Sequence, residues 1–254
     1  MAKRIFQTNR FNKVAQQQQD TQNMNQENAI EEGEETLVDI AQVRNQASSF
    51  FEHYQKPILG VLIGAAVIFG AWYAYKNLYV GPRQKRAVEQ MYQAEQQFEK
   101  DSFALALTNP GGGFSGFLDI ISSYSGTPAA NMAKYYAGVS YLNLGQFENA
   151  TKYLGEFSAS GDVAPIMKNG ALGDAYSELN KMDEAMSYYK KAVSSGDHEL
   201  LTAYYLKKVA MLSEKSGDFA GAKEAYQTLK EKYSRSPDGR DADKFLERIS
   251  AKVK

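Results

Sequence analysis

The chain has 254 residues, 43% of them hydrophobic and 23% charged, with a net charge of −1. That balance gives no electrostatic case for nucleic acid as a partner. With no cysteine and two histidines, disulfides, thiol catalysis, cysteine-based zinc sites and multi-histidine metal sites are excluded within one chain.

Residues 1–33 are polar and low in complexity, with a run of four glutamines at Gln16–Gln19. Such a segment cannot bury enough apolar surface to offset its conformational entropy, and a disordered tail is expected. In residues 34–56, Leu37, Ile40, Ala41, Ala47, Phe50, Phe51 and Tyr54 recur at helical spacing between charged residues. This is either an amphipathic helix on a membrane surface or an extension of the next element. From Pro57 to Tyr75 there are 19 residues without a charge, closed by Lys56 and Lys76. At about 1.5 Å per residue such a helix covers roughly the 30 Å hydrocarbon core of a bilayer. Its place in the chain argues against a cleaved leader and for an uncleaved single-pass anchor in the lipid bilayer. Gly60, Gly64, Ala66, Gly70, Ala71 and Ala74 share an arc of about 160° on that helix, a face suited to close packing with another membrane helix or a second copy.

Residues 76–127 read as a helical linker and front cap. Pro82 is placed to open a helix, and Ala87, Met91, Ala94 and Phe98 give it an apolar stripe. The break is expected at Asn109–Gly113, with Arg83–Leu107 serving as the cap. A short helix around Gly116–Ser123 follows, ended by Ser125-Gly126-Thr127-Pro128.

Residues 128–236 repeat. Gly138, Tyr141, Ala150 and Leu154 are followed 35 residues later by Gly173, Tyr176, Ala185 and Tyr189, and 37 residues further on by Ala210, Ser213, Ala222 and Tyr226. Gly145-Gln146-Phe147, Asn180-Lys181-Met182 and Gly217-Asp218-Phe219 mark matching turns. This period and pattern resemble the tetratricopeptide repeat, in which each unit is a pair of antiparallel helices and units stack into a superhelix. The expected fold is all-α: one membrane helix, about three helix pairs and capping helices, the last over residues 237–254 with Phe245, Leu246 and Ile249 apolar.

The order of elements, with Lys100-Asp101-Ser102-Phe103, Gly116–Ile120, Tyr135-Tyr136-Ala137-Gly138 and Leu172–Tyr176, is similar to the YfgM family, ancillary subunits of the bacterial Sec translocon. The resemblance spans about residues 50–250. It implies an inner-membrane protein with a cytoplasmic N-terminus and a periplasmic repeat domain. Such a protein passes chains to chaperones, and the family brings no catalytic residue. Charge points the other way, because Lys76, Arg83, Lys85 and Arg86 follow the anchor while Arg44 and Lys56 precede it. The same architecture also suits an envelope-assembly or secretion scaffold, or a cytoplasmic-facing recruiter of soluble partners.

In stacked repeats of this kind the first helix of each pair lines the concave face. The expected partner-binding residues in the first copy are Met132, Tyr135, Val139, Leu142 and Asn143. The second copy offers Met167, Asp174, Ser177 and Glu178. The third offers Tyr204, Lys207, Met211, Glu214 and Lys215. Met and Tyr are adaptable contacts for a partner segment.

Chemistry finds little support. Gly111-Gly112-Gly113 is not followed by the Lys-Ser/Thr of a phosphate loop. Asp197-His198-Glu199 are adjacent and do not face one another on a helix, so Asp197 reads as a helix cap. No serine has a histidine placed to activate it. Neither an enzyme nor a cofactor is expected.

Overall fold

The structure, a computed structural model, describes Tyr54 and residues 56–252; the expected tail and most of the 34–56 segment lie outside the described residues. The chain divides into two units, one ending at Tyr73 and one running from Ala74. Residues 56–74 form α1, all but its last residue in the first unit, and its apolar side chains from Leu59 to Tyr73 are exposed. By length and composition it is a candidate membrane span. Among the described residues nothing stands within 4 Å of a methyl group added at Gly60, Gly64 or Gly70, and Ala66, Ala71 and Ala74 are exposed beside them.

The second unit opens with a π-helical stretch, Tyr75–Val80, that passes directly into α2 (Gly81–Glu99). Pro82 therefore does not start a helix from coil, as expected from sequence, but sits inside a helical run. A proline there lacks an N–H and crowds the carbonyl four residues back. The preceding stretch is wider: the Gly81 N–H bonds to the Lys76 carbonyl, five residues back. We read the π-helix as the accommodation of Pro82.

The remaining elements are α3 (Phe103–Thr108), α4 (Phe117–Ser123), α5 (Pro128–Asn143), α6 (Phe147–Glu156), α7 (Ala164–Glu178), α8 (Met182–Ser194), α9 (Leu201–Ser216), α10 (Phe219–Lys232), α11 (Pro237–Arg240) and α12 (Ala242–Lys252). No strand occurs among the described residues. The pairs α5–α6, α7–α8 and α9–α10 are hairpins, and each packs on the next. The first helices α5, α7 and α9 touch in turn as one row, while α6 packs on α7 and α8 on α9. Thr127, Asp218 and Ser236 cap α5, α10 and α11 by accepting the N–H three residues on.

Small residues set the spacing within each hairpin. A methyl group added at Gly138 would stand 2.5 Å from Leu154, and one at Gly173 2.5 Å from Tyr189. Ala210 is buried in the corresponding place, with Tyr226 as the large partner. The hairpins also share a second contact. Tyr141 stacks on Tyr153 with centroids 5.4 Å apart, and Tyr176 on Tyr188 at 5.1 Å. In the third hairpin Ser213 and Ala225 replace this stacked pair, and both are buried.

The turns repeat closely. Gly145, Asn180 and Gly217 have φ of 73°, 59° and 85°. In each case the next residue donates its N–H to a carbonyl five back: Gln146 to Tyr141, Lys181 to Tyr176 and Asp218 to Ser213, all at 2.9 Å. Asp101 has φ of 57°, and the Ser102 N–H reaches the Gln97 carbonyl at 2.8 Å. The break after the Ala87–Phe98 stripe thus falls at Asp101 rather than at Asn109. Residues 83–107 are two helices, not one. Ala94 and Ala106 stand where Gly138 and Ala150 stand relative to their turn, and both are buried. The α2–α3 pair is therefore built on the repeat plan. Its second helix stops at Thr108, and Pro110 is buried where Leu154, Tyr189 and Tyr226 sit in the others.

Left-handed backbone costs an L-residue roughly 1–2 kcal/mol, and glycine escapes that cost. Gly217→Ala is expected to destabilise the repeat unit by about 1 kcal/mol. Asn180→Gly should be neutral or stabilising, and thermal denaturation of the purified chain followed by circular dichroism would check both.

Candidate functional site

The first helices bury one flank against their partners and leave another open. Met132 and Asn143 on α5, Glu178 on α7, and Tyr204, Met211 and Lys215 on α9 are exposed. Tyr135, Val139, Leu142, Met167, Asp174, Ser177, Lys207 and Glu214 are half-buried. Two clefts adjoin on this face. One, of about 470 Å³, is bordered by Leu142, Asn143, Phe147, Asp174, Ser177, Glu178, Tyr189 and Lys208. The other, of about 240 Å³, is bordered by Ser177, Tyr189, Lys208, Met211, Leu212 and Lys215. They share Ser177, Tyr189 and Lys208 and so form one groove across α5, α7 and α9.

The groove gathers Leu142, Asn143, Asp174, Ser177, Glu178, Met211 and Lys215 from the residues expected at a binding face. It does not gather Lys207 or Glu214. Lys207 donates to Asp238 at 2.7 Å and sits over the Phe245 ring, while Glu214 holds Arg248 at 2.6 Å. One residue is a 100° step around a helix, and at 207 and 214 that step turns the side chain toward α11 and α12. Met132, Met167, Tyr135, Val139 and Tyr204 border neither cleft. Tyr135 packs on Phe157, and Tyr204 stands edge-on to Tyr205.

Sequence reasoning missed Phe147, Tyr189 and Leu212 on the walls of the groove and, above all, Lys208. Its ammonium donates to Asp174 Oδ1 at 2.6 Å, and the Tyr189 hydroxyl donates to the same oxygen at 2.8 Å. Lys208 also lies 5.0 Å from the Tyr204 ring centroid and 5.6 Å from that of Tyr189. Three helices, α7, α8 and α9, are thereby joined at the floor of the groove. The available signal was twofold: Lys208 shares a helical face with Tyr204 and Met211, and its opposite charge, Asp174, lies one repeat length away. Burial alone would lower the Lys208 ammonium, but Asp174 and, after it, Tyr204 together hold it above its ordinary value.

Behind this floor lies a tyrosine layer. The Tyr205 ring occupies the space over Gly170, where an added methyl group would overlap it, and stacks on Tyr189 at 6.2 Å. Burial first, then Asp174, pushes the hydroxyls of Tyr189 and Tyr205 far up. Burial, then Tyr136, pushes Tyr135 up to about 12.

The other sequence candidates disperse. Gly111, Gly112 and Gly113 form a turn with positive φ throughout. Asp197 is not the cap of α9. Its carboxylate accepts from Tyr233 at 2.8 Å and pairs with Lys232 at 3.1 Å, while His198 Nδ1 takes the N–H groups of Leu200 and Leu201 at 3.3 Å. The helix begins at Leu201, four residues past Asp197 and nearer to His198. Among the described residues no group of three or more His, Asp or Glu side chains is placed to hold a metal ion.

Family models described as the tetratricopeptide repeat match residues 132–160, 169–195 and 205–236. These stretches coincide with the three hairpins, and the chain contains tetratricopeptide repeats. No curated protein matches it. Repeats of this kind make protein-interaction scaffolds that are generally non-catalytic.

Asp174→Asn removes the charge that Lys208 is paired with, in a site where both side chains are less than a third exposed. A loss of about 1–2 kcal/mol is expected, between the values for surface and buried pairs. Denaturant titration of wild type and variant would read it. The tyrosines set an alkaline limit: a hydroxyl raised in the folded state supports stability below its unfolded value of 10.0 and withdraws it above that. Thermal stability should therefore be flat to about pH 9 and fall steeply above pH 10, with Lys208 acting in the same direction. A tyrosine absorbance titration with a cooperative step would confirm it.

Proposed function

We propose that the protein is a membrane-anchored scaffold whose first-helix groove holds segments of other proteins. The observation that carries this reading is the groove itself: the exposed Met211 and the half-buried Leu142 border a cleft whose floor is fixed by the Asp174–Lys208–Tyr189 network. An exposed methionine over a rigid polar floor suits a partner that must be held without chemistry. The apolar α1 supports the anchor, and the face made by Gly60, Gly64, Gly70 and the neighbouring alanines supports pairing with a second membrane helix.

The order of anchor, linker helix and repeats, with the Tyr135–Gly138 and Leu172–Tyr176 motifs, supports a chaperone-like ancillary role beside the bacterial Sec translocon. In that arrangement the repeat domain is periplasmic. A second reading, a cytoplasmic-facing recruiter, is favoured by the basic residues after the span, of which Lys85 and Arg86 are exposed.

A photoreactive residue at Met211 in native membranes tests the reading. It should crosslink to other proteins, and one at the exposed Lys223 on α10 should not. Translocon subunits among the products support the first arrangement. Equal crosslinking from both positions would sink the groove. Proteolysis of intact spheroplasts then decides orientation, since a protected repeat domain places it in the cytoplasm.

A further inference from the structure

The shared turn geometry allows the rows of the groove to be counted from each left-handed residue. Thirteen, nine, six and two residues before Gly217 lie Tyr204, Lys208, Met211 and Lys215, the open flank of α9. The same count from Asp101 gives Val88, Tyr92, Glu95 and Glu99 on α2. At 100° per residue these four fall within an arc of about 60°. The flank about 100° further round α2, with Ala87, Met91 and Ala94, is buried. Moreover α2 packs on α5 as α5 packs on α7 and α7 on α9, so the row of first helices begins at α2. Val88 is 48% exposed and Tyr92 56%, two large apolar side chains half open to solvent.

The charges of this row differ from those of the rest. In the α9 row Lys208 is paired with Asp174 and Lys215 is exposed, and the α7 row, Met167, Ala171, Asp174 and Glu178, keeps one exposed carboxylate, Glu178, beside the paired Asp174. The α5 row offers Met132, Tyr136, Val139 and Asn143, none of them charged. Glu95 and Glu99 stand one turn apart on α2, and among the described residues neither has an ion-pair partner within 4.0 Å. Gln96 donates a long bond of 3.5 Å to Glu99. Burial, then the charge of Glu99, raises the Glu95 carboxyl above its ordinary value. An uncompensated pair of like charges beside two exposed apolar residues is unfavourable in the free protein and is relieved by a cation.

We propose that α2 is the first rung of the groove and reads charge: it accepts an extended protein segment that brings arginine or lysine to Glu95 and Glu99 and lays its apolar part on Val88 and Tyr92. The inference rests on the groove reading above and adds the chemistry of the occupant at one end. Arg is the better fit, because its guanidinium also stacks on the Tyr92 face.

The test uses the full chain in detergent micelles and a phage-displayed library of random dodecapeptides. Peptides retained by the wild type should be enriched in Arg and Lys over Asp and Glu by about five-fold, the ratio expected from two part-exposed ion pairs. Glu95→Gln/Glu99→Gln should still retain peptides but without the bias, and Met211→Ala should retain fewer with the bias intact. Glu99→Lys, at an exposed position, leaves Glu95 facing a lysine one turn away, so it should abolish the bias and provides a second reading if the double variant misfolds. The same charge composition from wild type and Gln variant would overturn the role of α2 while leaving the groove. If the wild type retains no peptide, the groove reading fails and this inference with it.

Discussion

Everything in the repeat unit depends on how closely two antiparallel helices can approach. At Gly138 and Gly173 there is no room for a methyl group, because Leu154 and Tyr189 fill the space from the second helix. That contact sets the hairpin, and the next hairpin stacks on the flank it leaves. The apolar clusters follow suit, each drawing on neighbouring helices rather than on a common centre. Stability in such a stack is close to a sum of hairpin and neighbour terms, and each end needs a closure. At the front, α3 is too short to complete its pair and α4 fills in. At the back, α12 lays Ile249 on α10, and Arg248 reaches both Glu214 and the Tyr226 hydroxyl.

Much of this was legible in the residues, because the packing demand falls on fixed positions. Small residues at 138, 173 and 210 and alanines at 150, 185 and 222 declared the hairpins, and the turns at 145, 180 and 217 declared their ends. The front pair was not legible for a physical reason. Its left-handed turn residue is Asp101, which bears a side chain and does not announce the conformation as glycine does. Its second helix is cut off by Asn109 and Pro110 before the large partner residue arrives. Pro82 misled in a related way. Proline usually marks a helix start, and only the wider π-helical turn before it makes the interior position tolerable.

The groove was half legible. Periodicity gives the face of a helix, but it fixes the angle only to within about one residue step, and that step separates Lys207 from Lys208. One goes to the C-terminal closure and the other to the floor. What decides between them is a partner one repeat away, Asp174 in one case and Asp238 in the other, and such pairings emerge only when the hairpins are stacked. The same network explains why Tyr189 serves two purposes: its ring fills the space over Gly173, and its hydroxyl finishes the polar floor.

The chain has a single tryptophan, and it lies in the apolar helix. Phe69 is its ring neighbour there, with centroids 5.8 Å apart. Indole emission from Trp72 is therefore an optical label that nature has placed in one unit alone. The other unit has tyrosines and no tryptophan, so excitation of the indole alone reports on the apolar helix while the far-ultraviolet signal follows the repeats, two readings from one unlabelled sample.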